Sequence, residues 1–192
     1  METGQATISR ANAHVTYPAR FQCIAAMNPC RCGHLGDPAR ECGRAPRCGE
    51  EYGMRLSGPL LDRMDLCIEV MPVAPAEMSR GPAGETSAAV AARVAESRER
   101  QRARYGADGP RCNAVADGSA LEDGLRAEPA ARALAEQAAE RLRFSARGFV
   151  RTLRVARTIA DLAGSEAVTR AHVAEALAFR HRRSDRLQPA AV

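Results

Sequence analysis

The segment FQCIAAMNPCRCGHLGDPARECGRAPRCGEEYGMRLSGPLLDRMDLCIEV, residues 21–70, decides the fold of this chain. It begins and ends with short apolar runs, at residues 21–27 and 66–70. Continuous runs of this kind are typical of strands covered on both faces of a parallel sheet. A polar side chain, Asn28, follows the first run, and Arg63 precedes the second. The pattern predicts an α/β fold with a candidate site at one edge of its sheet.

Further strands and helices flank this segment. Residues 5–9 and 14–17 are rich in β-branched or aromatic side chains and enclose a short turn, which predicts a β-hairpin. Serine, threonine or proline stands at the start of each expected helix, and glycine stands beyond the end of two of them. Helices are predicted after residue 57 and at residues 86–105, 129–142, 145–163 and 169–181, and residues 106–124 are predicted to form a loop.

These elements predict a chain of mixed class, α/β followed by all-α. Residues 1–72 are expected to form the C-terminal part of a parallel-sheet core with the hairpin and a cysteine-rich insertion. A linker and a long charged helix are expected at residues 73–110. A helical domain is expected at residues 111–184, and a disordered tail at residues 185–192.

The composition excludes several kinds of chemistry. The chain has 192 residues and a formal net charge of +5, and all 28 basic residues are arginines. Without lysine, it contains neither a phosphate-binding loop of the GxxxxGK[ST] type nor a Schiff-base lysine. The mild positive charge permits contacts with nucleic-acid phosphates, but a soluble, arginine-rich surface accounts for it as well. We find no secretion signal and no run of roughly 20 apolar residues, so a cytoplasmic protein without membrane contact is expected.

Four of the seven cysteines fall in an insertion of about 25 residues without periodic apolar side chains. An odd number of cysteines without a secretion signal argues against a disulfide framework. Four thiolates are the ligand set of a closed structural zinc site, and such a metal orders a loop that has no core of its own. Zinc is one interpretation, and a set of reduced thiols is the other. The candidate ligands are Cys30, Cys32, Cys42 and Cys48.

The stretch at residues 145–163 predicts the most clearly amphipathic helix. Apolar side chains recur at the helical period on one face. The opposite face carries four arginines and a single acidic side chain. It is interpreted either as a solvated surface or, because like charges repel, as a contact for an anionic partner. These polar residues are Arg147, Arg151, Arg154, Arg157 and Asp161.

Asn28 and Arg63 each allow two interpretations. An amide at the end of a strand orients a water molecule or binds a phosphate, but Asn28 also fits a turn with Pro29. Arg63 is flanked by Asp62 and Asp65. It forms either a local ion pair or a contact with a phosphate held by a neighbouring subunit.

Two parts of the chain resemble the magnesium-chelatase-like AAA+ ATPases, and within them the ComM/YifB branch. The first comprises AAMNPCRCG at residues 25–33 and RLSGPLLDRMDLCIEV at residues 55–70. The second, SARGFVRTLRVARTIADLAGSEAVTRAHVAEALAFR at residues 145–180, is similar to the C-terminal lid of that family. The resemblance covers nearly the whole chain, and its motifs occur in the order of the family.

The resemblance implies a role for three polar residues. Asn28 occupies the position of sensor 1, which places the water that attacks the γ-phosphate. Arg63 matches the arginine finger, which reaches the ATP bound by the adjacent subunit, and Arg154 matches the sensor-2 arginine of the lid. The family also implies ATP with Mg²⁺ as cofactors, a hexameric ring, a hairpin that faces the central pore, and action on DNA.

One part of the family pattern is missing. In the family, a phosphate loop with lysine and an acidic magnesium-binding strand precede the hairpin, whereas this sequence begins within the hairpin. We therefore expect the C-terminal portion of a longer protein, which does not hydrolyse ATP by itself. The alternatives are a non-enzymatic DNA-binding module and a zinc-stabilised interaction module.

Overall fold

The computed structural model describes residues 4–180 apart from residues 12, 38–39, 72, 74–77 and 80–83. The predicted tail at residues 185–192 lies outside the described residues. Contacts between residues divide the chain into two units, Met1–Arg63 and Met64–Val192.

The first unit begins with the predicted β-hairpin, which is confirmed. Strands β1, Gln5–Arg10, and β2, Ala13–Pro18, pair antiparallel. On one face the Thr7 and Thr16 hydroxyl groups share a hydrogen bond of 3.1 Å between directly paired residues. Both strands are exposed along their whole length, so neither face of the hairpin is covered within the described residues.

The prediction of parallel strands at residues 21–27 and 66–70 is wrong for this structure. Both runs lack regular secondary structure, and apolar side chains such as Ile24 and Val70 are 86% and 84% exposed. A strand needs a partner for its backbone hydrogen bonds and a covering layer for its side chains. The described residues offer only the hairpin as a sheet, so these runs have no strand to pair with and the predicted parallel-sheet core does not form.

Two short helices form in and after the cysteine-rich insertion. Helix α1, Arg47–Gly53, lies within the insertion, and α2, Gly58–Leu61, follows it. The predicted start of α2 is confirmed because the Ser57 hydroxyl accepts a hydrogen bond of 3.3 Å from the backbone N–H of Leu60. This cap satisfies one of the backbone donors that a helix start leaves unpaired.

The second unit is helical, and most of its helices begin where the sequence predicts. Thr86 and Ser145 cap two of them through their hydroxyl groups, which accept from Ala89 N at 3.3 Å and Gly148 N at 3.0 Å. The predicted loop at residues 106–124 is wrong in its second half, which contains a 3₁₀ turn and a helix. The helices are α3, Ser87–Tyr105; α4, Gly118–Leu125; α5, Pro129–Arg141; α6, Ala146–Leu162; and α7, Arg170–Ala178, and the 3₁₀ turn is Asn113–Val115.

Small apolar side chains form the core of this unit. They come mainly from α5, α6 and α7, and the partly buried Phe149 and Ile159 pack against them. Because alanine dominates, the helix axes can approach closely, but each side chain removes little apolar surface from water. The buried core residues are Leu125, Ala131, Ala135, Leu153, Ala156, Ala160, Val168, Val173 and Ala176.

The interpretation of the polar face of α6 as solvated is wrong at two positions. Arg157 is 0% exposed and Asp161 is 2% exposed. Arg157 Nη2 donates to Asp161 Oδ1 at 2.9 Å and to the carbonyl oxygen of Ser165 at 2.6 Å, and Nη1 donates to the carbonyl oxygen of Glu166 at 2.7 Å. This arginine therefore fastens the turn that follows α6 to the body of the helix.

Asp161 also joins α6 to α3. Its carboxylate accepts hydrogen bonds from both terminal nitrogens of Arg104, in the last turn of α3. The side-chain amide of Asn113 donates to Asp161 Oδ2 at 2.8 Å and to Thr158 Oγ1 at 3.1 Å, while its carbonyl oxygen accepts from the Tyr105 hydroxyl at 2.8 Å. One buried carboxylate thus connects α3, the 3₁₀ turn and α6.

The substitution Asp161→Asn is expected to destabilise the second unit by about 3–5 kcal/mol. It keeps the size of the side chain but leaves the buried positive charges of Arg104 and Arg157 without their counter-ion. Unfolding by urea, followed by helical circular dichroism, measures this change. Asp123→Asn, at an exposed position of α4, is the matched control and should leave the free energy of unfolding nearly unchanged.

The difference in stability between wild type and Asp161→Asn is expected to depend on pH. Burial raises the pKa of the Asp161 carboxyl group, but hydrogen bonds from Arg104 and Asn113 and the charge of Arg157 outweigh this effect and lower the pKa below 3.8. A lowered pKa in the folded state adds stability that is complete above the unfolded value near about 3.9 and is lost as the pH falls through the folded value. Wild type should lose this increment in acid, whereas Asp161→Asn should not, and equal acid dependence of both proteins would contradict the assignment.

Candidate functional site

Asn28 lies on the turn that carries the first two cysteines of the insertion. It is exposed and follows an irregular segment, so it does not end a strand. Its amide nitrogen is 3.8 Å from the position that a Cβ would occupy at Gly33, whose φ of +84° favours glycine. The Gly33 backbone N–H donates to the carbonyl oxygen of Cys30 at 3.0 Å, which closes the turn. The position of Asn28 therefore depends on the order of the cysteine turn.

Arg63 follows directly after α2 and is partly buried. Its Nη1 donates to the carbonyl oxygen of Pro59 at 2.8 Å, in the first turn of α2. Of the two flanking carboxylates, Asp65 forms an ion pair with Arg151 of α6. The helix start at Ser57 and the cap of α2 thus fix the backbone from which Arg63 projects.

Arg154 belongs to the second unit and already has intramolecular partners. Its Nε donates to the carbonyl oxygen of Ala116 at 2.7 Å, and its Nη2 lies 3.6 Å from Asp117 Oδ1. Its side chain is 19% exposed. By contrast, Arg147 in the first turn of the same helix is exposed. The arginines at 151, 154 and 157 therefore face internal carboxylates, so charge repulsion along α6 gives no argument for an anionic partner.

The structure brings the four predicted cysteine ligands together. Their Sγ atoms all lie within 4.8 Å of one another, and the distance from Cys30 Sγ to Cys32 Sγ is 3.2 Å. Cys30, Cys42 and Cys48 are buried, and Cys32 is exposed. They come from three places in the insertion: Cys30 and Cys32 lie on the turn after Pro29, Cys42 lies on a second turn, and Cys48 lies in the first turn of α1.

The local environment shifts the acidity of two of these thiols in opposite directions. Burial raises the pKa of the Cys30 thiol, but hydrogen bonds from the Cys32 thiol and from nearby backbone N–H groups outweigh it and lower the pKa to about 6. The backbone N–H of Arg44 lowers the pKa of the Cys42 thiol, but the Cys32 thiol, burial and the other two thiols outweigh it and raise the pKa to about 11. Without a cation, the cluster therefore concentrates negative charge on Cys30.

Among the described residues of the insertion, apolar packing is limited to the three buried cysteines and Leu35. Burying one leucine stabilises a fold by about 1.5–3 kcal/mol. Fixing the backbone of a single residue costs about 1–2 kcal/mol. The apolar contacts of the insertion therefore do not account for its order by themselves.

The sequence interpretation missed Gly49, which lets the two halves of the insertion approach. A Cβ at this buried position of α1 would lie 2.5 Å from Leu35 Cδ2 and 3.3 Å from the carbonyl oxygen of Pro29. A glycine directly after a cysteine is a weak signal, because it suggests a turn as readily as a close contact. The buried network around Asp161 was missed too, and its only sequence signal is a lone acid on an arginine-rich face.

Comparison with known proteins supports the resemblance found in the sequence. A family model described as magnesium chelatase, subunit ChlI, matches residues 1–78, and one described as the C-terminal part of the same subunit matches residues 84–180. The chain therefore belongs to the magnesium chelatase ChlI family.

Individual relatives agree with this assignment. Competence protein ComM of Haemophilus influenzae is 41% identical over 182 residues, which are 94% of this chain and 34% of ComM. The uncharacterized protein YifB of Escherichia coli is 40% identical over 181 residues, which are 94% of this chain and 35% of YifB. An uncharacterized protein of Mycobacterium tuberculosis is 39% identical over 180 residues, again 94% of this chain and 35% of that protein. The chain spans about a third of the length of these relatives.

Within the described residues, no helix combines the length and the apolar composition that crossing a membrane requires.

The substitution Gly49→Ala is expected to loosen the cysteine insertion. The added methyl group forces Leu35 or the backbone at Pro29 to move, and overpacking of this kind costs about 1–3 kcal/mol. The rate at which Cys30 and Cys48 react with a maleimide, read by mass spectrometry of peptides, should rise about tenfold or more.

Gly53→Ala is the matched control for this experiment. It lies on the same helix and gains the same helix propensity, but a Cβ there meets nothing within 4 Å. Thiol reactivity should stay at the wild-type rate in this variant, and equal rates in the two variants would show that the close contact at Gly49 is unimportant.

Proposed function

We propose that this chain is a partial ATPase module of the AAA+ type, which supplies sensor 1, the arginine finger and the sensor-2 arginine to a ring-shaped motor. Asn28 would orient the attacking water, and Arg63 would reach the ATP held by the next subunit. ATP with Mg²⁺ would be held by a phosphate loop and an acidic strand that this sequence does not contain. The module is therefore inactive alone.

The observation that carries this proposal is the continuous match to one family over both units. Identity of about 40% extends over 94% of the chain, so the match covers the segments around Asn28, Arg63 and Arg154 together. Two local features of the structure support it. A capped helix precedes Arg63, and Asn28 projects from an exposed position next to an ordered turn.

We also propose that the module assembles into a ring and that the ring acts on DNA. A finger that acts on a neighbouring subunit requires a closed, head-to-tail assembly of this module. The hairpin of β1 and β2 is exposed on both faces, with Arg10 at its turn, which suits an element that projects from a ring toward nucleic acid. The name of the Haemophilus relative, a competence protein, points to the same kind of partner.

The alternative of a DNA-binding module without ATPase chemistry receives less support. It relies on the hairpin and on the arginine-bearing helices, and three of the arginines of α6 pair with Asp65, Asp117 and Asp161. The zinc-stabilised interaction module keeps its main feature, the cysteine cluster, but that feature is compatible with the ATPase proposal as well.

The assignment of Asn28 and Arg63 is tested in a chimera in which this chain replaces the matching third of Haemophilus influenzae ComM. Arg63→Ala should lower kcat for ATP hydrolysis by about 10³-fold or more, and Asn28→Ala by about 10²-fold or more. Mixing the two inactive variants should restore part of the activity, because each supplies the residue that the other lacks at a shared interface. The isolated chain should show no turnover.

Arg55→Ala is the matched control, because Arg55 is an exposed arginine in the same segment. It should leave kcat within about twofold of the chimera. The proposal fails if the mixture of the two variants stays inactive while each still assembles with the other, or if the isolated chain hydrolyses ATP without needing Arg63.

The role of Arg154 has its own test. To contact a nucleotide, its guanidinium group must exchange the Ala116 carbonyl group and the Asp117 carboxylate for phosphate oxygens. Asp117→Asn removes the competing charge and keeps the cap of α4, since asparagine is as good a helix cap as aspartate. In the chimera this variant should lower KM for ATP about twofold to tenfold at unchanged kcat.

Asp123→Asn, on the exposed side of α4, removes the same charge away from Arg154 and should leave KM unchanged. If Asp117→Asn also leaves KM unchanged while Arg147→Ala raises it, the exposed Arg147 is the lid contact and the assignment of Arg154 is wrong.

A further inference from the structure

We propose that Cys30, Cys32, Cys42 and Cys48 bind one Zn²⁺ ion as a closed structural site. This proposal does not rest on the proposed ATPase function, because all four ligands lie within the first unit and none has a catalytic role in that proposal. It would cross-link the turn that carries Asn28 to the start of α1.

The distances fit a single tetrahedral ion. With a Zn–S bond of about 2.3 Å, the sulfur atoms of a regular tetrahedron are about 3.8 Å apart. The four Sγ atoms lie within 4.8 Å of one another, and the shortest separation named above is 3.2 Å. The separation expected for zinc falls between these two values, so the spacing of the four sulfurs suits a single ion.

Other uses of four cysteines fit less well. An iron–sulfur cluster places several iron and sulfide atoms between its cysteine sulfurs, which keeps them farther apart than one ion does. A disulfide requires a sulfur–sulfur distance of about 2.05 Å, and all four thiols are free. Since four thiolates also complete the coordination of zinc, no position is left for water or substrate, which makes the site structural rather than catalytic.

The surroundings of the sulfurs are those of thiolate ligands. Backbone N–H groups of Cys32, Gly33 and Leu35 hydrogen-bond to the sulfur of Cys30, an outer shell that stabilises negative charge on a ligand.

The ion would hold together two parts of the insertion that apolar packing alone does not hold. The first pair of ligands stands directly after Pro29, and Cys48 stands in the first turn of α1 beside Gly49, where a bulkier residue would collide with Leu35. The ion therefore joins two halves of an insertion that share a single leucine as apolar contact outside the cysteines. Removal of the ion should release both halves and the turn on which Asn28 lies.

Metal analysis of the purified full chain tests the proposal. We expect about one zinc per chain and no stoichiometric iron. Protein stripped by a chelator should bind Co²⁺ with the charge-transfer and d–d absorption of a tetrahedral tetrathiolate complex. Cys30→Ser and Cys48→Ser should each weaken binding of Zn²⁺ by at least about a hundredfold. A change in a residue that only hydrogen-bonds to a ligand costs about 10–100-fold, so a larger loss identifies a direct ligand.

Cys23→Ser is the matched control, because Cys23 is an exposed thiol of the same unit outside the cluster. It should keep full zinc content and the Co²⁺ spectrum. Folding is followed separately through the helical signal of the second unit, which contains none of the ligands. The proposal is overturned if wild-type protein contains iron in place of zinc, if stripped protein gives no tetrathiolate Co²⁺ spectrum, or if Cys23→Ser lowers metal content as much as Cys30→Ser does.

Discussion

The second unit depends on the burial of one carboxylate, Asp161, between the guanidinium groups of Arg104 and Arg157. A core built mainly of alanine and valine defines a helix's position poorly, because small side chains interlock weakly. The carboxylate supplies the missing specificity, since it binds α3 through Arg104, the 3₁₀ turn through Asn113 and its own helix through Arg157. The arrangement is sensitive for the same reason: any shift of α3 along α6 leaves a buried charge unpaired.

The first unit has no comparable centre within its described residues. Its hairpin is exposed on both faces, its apolar run at residues 21–27 is uncovered, and its ordered insertion contains one leucine besides the cysteines. The two units therefore illustrate different ways to fix helices and turns with little apolar area. One uses a buried ion pair with hydrogen bonds to three segments, and the other brings four cysteine sulfurs within 4.8 Å of one another.

The sequence predicts those features that depend on neighbouring residues and fails where distant partners decide. Helix starts at Ser57, Thr86 and Ser145 are correct because a cap is satisfied within three residues. The strands at residues 21–27 and 66–70 are wrong because apolar periodicity states only that a segment can pair, and no partner strand is present among the described residues. Helical spacing likewise placed Arg157 on a solvated face, whereas its partners in the turn after α6 draw it inside.

The same distinction between neighbouring and distant partners applies to the residues of the candidate site. The gathering of the four cysteines follows from composition, because a loop with few apolar residues needs another source of order. The roles proposed for Asn28 and Arg63 follow from neither composition nor geometry, since an arginine finger is defined by a phosphate in another subunit. Arg154 shows why resemblance and structure must be weighed together. The nucleotide contact proposed for it comes from the family pattern, whereas the structure gives it protein partners in Ala116 and Asp117. A nucleotide contact would require Arg154 to exchange these partners for phosphate oxygens, and the acid at position 117 would then compete with the nucleotide.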